Sequence, residues 1–169
     1  MAKLDIIVAG NPVLRLKAKE VERIDKKTVR LLNDMAETMY EAPGIGLAAT
    51  QVNVHQRVIV IDVSEDRSGL MALINPVILE RDGEQVHEEG CLSVPGIYDG
   101  VERSIAVKVK ALDERGNSRE IDAEGMLAIC IQHEMDHLMG KVFVEYLSPL
   151  KRNRIKTKLI KQQKEAAKA

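Results

Sequence analysis

Between Asp25 and Pro43 the apolar residues Val29, Leu32, Met35, Ala36 and Met39 recur at three- and four-residue steps, which predicts an amphipathic helix burying that stripe. Asp25 suits its N-cap and Pro43 stops it. Methionines in such a stripe read as packing. The period then shortens. RVIVIDV at 57–63 and MALINPVIL at 71–79 are β-branched runs separated by the polar SEDRSG, and both predict strands, with Pro76 marking a bulge or edge in the second. EQVHEEGCLSVPG at 84–96 reads as an extended segment running into Gly90 and Cys91. IAVKVKAL at 105–112 alternates apolar and basic residues, and DERGN turns it into SREIDAE, an antiparallel hairpin with one wet face. A second helix runs from about Glu124 to a stop at Gly140, KVFVEYL follows as a short extended piece, and a last helix starts near Pro149. Residues 3–24, with Gly10, Asn11 and Pro12, form an irregular lead-in.

This order predicts a single-domain α+β fold in which antiparallel strands pack around a central helix, with an N-terminal helix and a C-terminal basic helix. Its 169 residues suffice to bury roughly two-thirds of the unfolded surface. Residues 1–147 would form the catalytic domain, and 148–169 a basic helix appended to it. With aromatic residues at 2% and no Trp, the core must be aliphatic, helped by seven methionines. The net charge of −1 hides an asymmetry: residues 148–169 hold eight Lys or Arg and one Glu, which leaves the rest of the chain acidic. A basic tail on an acidic body predicts an anionic partner. No apolar run is long enough to cross a bilayer and no basic start precedes one, so the reading is a soluble, cytoplasmic protein with no membrane partner. Cys91 and Cys130 then point to metal or thiol chemistry rather than a disulfide.

The chemistry concentrates in QHEMDHLMG, residues 132–140, which contains H-E-x-x-H. Residues four apart on a helix lie about 40° apart around the axis, so His133 and His137 can share one metal ion. Glu134 is then placed to accept a proton from a water that the metal polarises. A catalytic site of this kind needs a third protein ligand and an open position. The position that carries a third His in the extended metalloprotease motif is Phe143, and neither Glu145 nor Glu165 is placed to serve. Cys130 shares the helix face but lies about 7.5 Å along the axis from the level of the shared metal. Cys91, in an irregular turn on a separate segment, can meet the helix from across a cleft, so Cys91, His133 and His137 are the predicted ligands. Met126, Ile129 and Cys130 form an apolar strip leading to that site, either plain core or a substrate pocket.

Three blocks, GIGLAATQ at 44–51, EGCLS at 89–93 and QHEMDHLMG at 132–140, together resemble the peptide deformylase family, whose members remove the N-formyl group from the initiator methionine of new polypeptides. The resemblance implies a metal on Cys91, His133 and His137, Glu134 as acid and base, and Gln51 with the backbone N–H of Leu92 as oxyanion donors. It also implies substrate contact at Gly46 and a methionine pocket of Ile45, Met126, Ile129 and Cys130. The implied metal is Fe²⁺, with Zn²⁺ or Ni²⁺ able to replace it. The implied partners are nascent formyl-methionyl polypeptides and the ribosome, the latter through Lys151, Arg152, Arg154, Lys156, Lys158, Lys161 and Lys164, whose charges suit RNA phosphates. No DNA partner is implied. His87 departs from the apolar residue expected at the pocket edge and reads as a polar rim. Asp136 is either a support for a ligand histidine or a solvated helix residue, and Glu89 and Arg103 form a candidate pair near the site. The rival readings are a metallopeptidase cleaving internal amides and a ribosome-binding module with a structural metal.

Overall fold

The four consecutive apolar residues of β2 (Val58–Ile61) reveal the layering, because a strand sends alternate side chains to opposite faces and here all four are buried. In this computed structural model, which describes residues 3–168, Val58 and Val60 pack with Leu32, Met35 and Met39 of α1 (Lys26–Glu41). Ile59 and Ile61 pack with Ala128, Cys130, Ile131 and Leu138 of α2 (Gly125–Leu138) on the other face. β2 therefore belongs to a sheet covered on both sides.

That sheet has five strands, all antiparallel, in the order β1-β2-β3-β6-β7, where β1 is Gly46–Ala48, β3 Met71–Asp82, β6 Ala106–Leu112 and β7 Ser118–Glu124. The β6–β7 hairpin appears as its alternation predicts, with Val107, Val109 and Ala111 buried. Pro76 sits at a break in the β3–β6 register between Ile74 and Val77. Asn75 before it takes a left-handed φ of 53°, and its side chain bonds Val21 N and O at 2.8 and 2.9 Å, tying the lead-in to the sheet. A second, two-stranded sheet of β4 (Gln85–Cys91) and β5 (Val94–Arg103) packs with Phe143 and Leu159 in its own apolar cluster.

The helix α2 is central, as predicted. Nine of its residues are buried, on several sides rather than in one stripe, as expected of a helix enclosed by protein. It ends at Gly140, whose φ of 80° is left-handed and whose missing Cβ leaves room for the Arg15 carbonyl. The final helix, α3 (Pro149–Lys168), begins at Pro149 as predicted, and its described side chains rest on the body through Ile155 and Leu159.

Three expectations need correction. Val29 is 38% exposed, and Thr28 is buried in its place. The cause is a capping box, in which Asp25 Oδ1 accepts from Thr28 N while Thr28 Oγ1 accepts from Asp25 N, turning Thr28 inward. The extended segment at 84–96 is two strands of a hairpin that continues to Arg103, although Pro95, Gly96 and Gly100 resemble turn residues. KVFVEYL is not extended: Phe143–Tyr146 is a 3-10 turn closed by bonds from Glu145 N to Val142 O and Leu147 N to Val144 O. Its backbone groups are satisfied locally, so strand propensity had no pairing to act through.

Candidate metal centre and groove

His133 and His137 project from one face of α2, their rings edge to face with centroids 4.9 Å apart. Their Nε2 atoms are 3.2 Å apart, and Cys91 Sγ lies 3.3 Å from His137 Nε2. Cys91 arrives at the tip of the β4–β5 hairpin, where the register slips between Gly90 and Cys91 and only Leu92 and Ser93 form the turn. Ligand atoms of the three residues lie within 4.8 Å of one another, the one such group among the described residues. Tetrahedral coordination with about 2.0–2.1 Å to nitrogen and about 2.3 Å to sulfur sets ligand atoms about 3.3–3.6 Å apart, so the three side chains suit a transition-metal ion. Burial, then the charge of His133, holds His137 well below the usual imidazole range. Burial acts on His133 in the same direction, but hydrogen bonds to Cys91 and Glu89 outweigh it and raise its pKa.

The orientation of His133 is fixed from behind. Its Nδ1 meets Glu89 Oε1 at 2.8 Å, which leaves Nε2 for the site. Arg103 donates to both Glu89 oxygens, at 2.8 and 2.9 Å, and this predicted pair is almost wholly buried. The same guanidinium donates to Asp136 Oδ2, which also accepts from Tyr146 at 2.7 Å, while the Tyr146 ring stacks over Arg103. Asp136 is thus only partly exposed and no direct support for a histidine: it pairs with Arg103 and Tyr146. Arg103 and His133 together hold the Glu89 carboxyl below its ordinary range despite burial.

On the open side, Glu134 is 4% exposed, and its Oε1 is buried with no hydrogen-bond partner among the described residues. Burial raises its pKa to about 7, against the opposing influence of His133. A Cβ on Gly46 would fall 2.5 Å from Glu134 Oε2 and 2.7 Å from Cys130 Sγ, so only glycine lets these two side chains pack against the β1 backbone. Ile45, Met126, Ile129 and Cys130 line a groove of about 950 Å³ that also reaches Gln51, Cys91, Leu92, His133 and Glu134. Cys130 is outside the ligand group, as expected: its thiol points to the Ile45 carbonyl at 3.7 Å, and burial, then the Glu134 charge, pushes its pKa well up. The Gln51 amide is held at both ends, Oε1 accepting from Ala48 N at 2.9 Å and Nε2 donating to Ser93 Oγ at 3.0 Å and facing Cys91 Sγ at 3.6 Å. Leu92 packs its side chain against Gly44. The predicted site residues therefore line one groove except His137, which lies outside its lining and joins the site through Cys91 and His133.

Sequence reasoning passed over Ser93, Gln132, Tyr146 and the lead-in. Gln132 ties α2 to the β5–β6 turn by bonding both backbone groups of Ser104. Ile7 and Ala9 donate backbone N–H groups to Gln51 O and Ser93 O, bracing the two site loops. Gln132 and Ser93 carried a signal, each through its place in a quoted block.

A family model described as polypeptide deformylase matches residues 3–153. The chain is 64% identical over 162 residues to peptide deformylase 1 of Burkholderia multivorans, covering 95% of this chain and 90% of that one. A peptide deformylase crystal structure from Legionella pneumophila is 48% identical, with a TM-score of 0.96 and 99% of each chain covered. Another from Ehrlichia chaffeensis, in complex with actinonin, is 41% identical, with a TM-score of 0.92, covering 96% of this chain and 98% of that one. The match over most of the length, joined to a metal-suited group beside a buried carboxylate oxygen that makes no hydrogen bond among the described residues, places this chain in the polypeptide deformylase family.

Proposed function

We propose that Cys91, His133 and His137 hold a divalent ion, Fe²⁺ in the cell with Zn²⁺ or Ni²⁺ able to replace it, and that the groove beside them carries out the family's reaction. That reaction is hydrolysis of the N-formyl group from the formyl-methionine of newly made polypeptides, releasing formate. The carrying observation is the three-ligand group with Glu134 Oε1 3.9 Å from His137 Nε2. When bound, the ion supplies Lewis acidity to the formyl oxygen and acidifies the attacking water. Glu134, with a pKa of about 7, accepts the water proton and delivers it to the departing amine. Gln51, held rigid by Ala48 and Ser93, and the N–H of Leu92 stabilise the oxyanion. Gly46 lets the substrate backbone lie against the site, and Ile45, Met126, Ile129 and Cys130 receive the methionine side chain. A soft thiolate with two imidazoles suits Fe²⁺, Ni²⁺ and Zn²⁺ alike, so anaerobic purification with metal analysis and activity decides among them.

Formyl-Met-Ala-Ser assayed beside its acetyl-blocked counterpart tests the reaction. Formate release from the first with no cleavage of the second is expected. Preferential internal cleavage of the blocked peptide would instead identify a metallopeptidase.

The ribosome is the second proposed partner, which also places the enzyme in the cytoplasm. All seven basic residues from Lys151 to Lys164 are exposed on α3. Truncation after Leu150 would also strip Leu159, 6% exposed, from its cluster, so substitution is the cleaner test. Replacing Lys156, Lys158, Lys161 and Lys164 with Gln should weaken ribosome co-sedimentation and flatten its salt dependence, while turnover of formyl-Met-Ala-Ser persists. Unaltered salt-sensitive binding would remove α3 from this role.

A further inference from the structure

The loop between β2 and β3, residues 62–70, holds the lip of the groove at two consecutive carbonyls. Asp62 N donates to Ile45 O and Arg67 Nη1 donates to Gly44 O, each at 2.8 Å. Gly44, Ile45 and Gly46 all line the groove. In a trans peptide the N–H points opposite to the C=O of the same plane. Fixing the Ile45 carbonyl toward Asp62 therefore turns the Gly46 N–H away from β2, and β1 is an edge strand of the sheet. Fixing the Gly44 carbonyl toward Arg67 sets the plane that carries the Ile45 N–H in the same way.

The first tie is main chain, next to the pairing of Gly46 with Ile61. The second depends on one side chain, and that side chain belongs to a strained residue. Arg67 takes a φ of 61°, in the left-handed region that residues other than glycine rarely enter. Such a conformation persists where the surroundings impose it. Asp62, fully buried, accepts from Tyr40 Oη at 2.6 Å and from Ser64 Oγ. Ser64 Oγ in turn accepts from Ser68 N at 3.0 Å and Gly69 N at 3.1 Å, so the chain is anchored on both sides of Arg67. The Arg67 guanidinium lies 5.5 Å from the centroid of the Tyr40 ring, within cation–π range, on its way to Gly44.

We infer that Arg67 is a positioning residue for the peptide substrate, holding the Gly44–Gly46 lip in the conformation that receives it. This rests on the proposed function of the groove. Without Arg67 the Gly44 peptide plane is free to turn, and binding must then order it, which weakens affinity. The chemical step is spared, because His133, Glu134 and His137 belong to α2 and Cys91 to β4, away from the loop.

The test measures kcat and KM for formyl-Met-Ala-Ser in the native enzyme, R67N and R67K. Asn tolerates the left-handed φ, so R67N removes the guanidinium without adding backbone strain. R67N should raise KM roughly fivefold to tenfold, the scale of one net hydrogen bond, with kcat within about twofold of native. R67K keeps a cation able to donate to Gly44 O and to face the Tyr40 ring, and should bring KM back to within about twofold of native. A KM in R67N within about twofold of native, a loss that falls on kcat instead, or an R67K as impaired as R67N would each overturn the inference. The native enzyme separates the two levels: no formate release from this peptide overturns the proposed function and the inference with it, whereas native turnover beside an unimpaired R67N removes only Arg67.

Discussion

Replacing Glu134 with Gln is expected to lower kcat/KM for formyl-Met-Ala-Ser by about 10²- to 10⁴-fold, the usual contribution of a positioned acid–base group. The amide has the size and shape of the carboxylate but cannot take a proton from water. Metal content should persist, because Cys91, His133 and His137 form the ligand group without Glu134. Folding stability should also survive, since the substitution removes an ionisable group that burial already disfavours in its charged form. The pairing of lost turnover with retained metal, read by atomic absorption on the same sample, separates this from collapse of the site. Native turnover in E134Q would end the proposed mechanism and favour a purely structural metal.

Arg103→Met should act on stability and on the metal together. Arg103 and Glu89 side chains are each 4% exposed, and the guanidinium satisfies both oxygens of Glu89 as well as Asp136. Removing one member of such a pair leaves a buried carboxylate unmatched and typically costs about 3–5 kcal/mol. Glu89 also holds the His133 ring, and loss of a support of that kind typically weakens metal affinity by about 10- to 100-fold. Urea denaturation measures the first effect and competition with a chelator the second. The double variant Glu89→Gln with Arg103→Met should recover part of the stability, because no buried charge is then stranded. A single variant as stable as the native protein would show that Arg103 is replaceable by packing alone.

The legible parts of this protein are those in which one short segment carries its own signal. The helix of His133 and His137 announces itself by spacing, and Cys91 by the exclusion of alternatives that lie on the wrong element. The β6–β7 hairpin and the bulge at Pro76 follow from alternation and from a missing N–H. Features set by distant partners were less legible. Val29 lost its place to Thr28 through a cap, and Phe143–Tyr146 had strand-forming residues but no strand beside them. The role of Asp136 depends on Arg103 and Tyr146, which reach it from β5 and from the turn before α3, and no periodicity within α2 could signal that. The same holds for Ser93, whose hydroxyl matters only because Gln51, 42 positions earlier, donates to it.

Those separations also bear on how the molecule is made. Gln51 and Cys91 are 40 positions apart and Cys91 and His137 a further 46, so the groove exists only after two long loops have closed. Closure entropy grows slowly with loop length, so the separation affects the rate of folding more than the stability of the result. During synthesis the first two blocks emerge well before the third. Catalytic competence therefore arrives late, with the last helix of the core, and a chain with one misplaced segment has no reaction site rather than a damaged one.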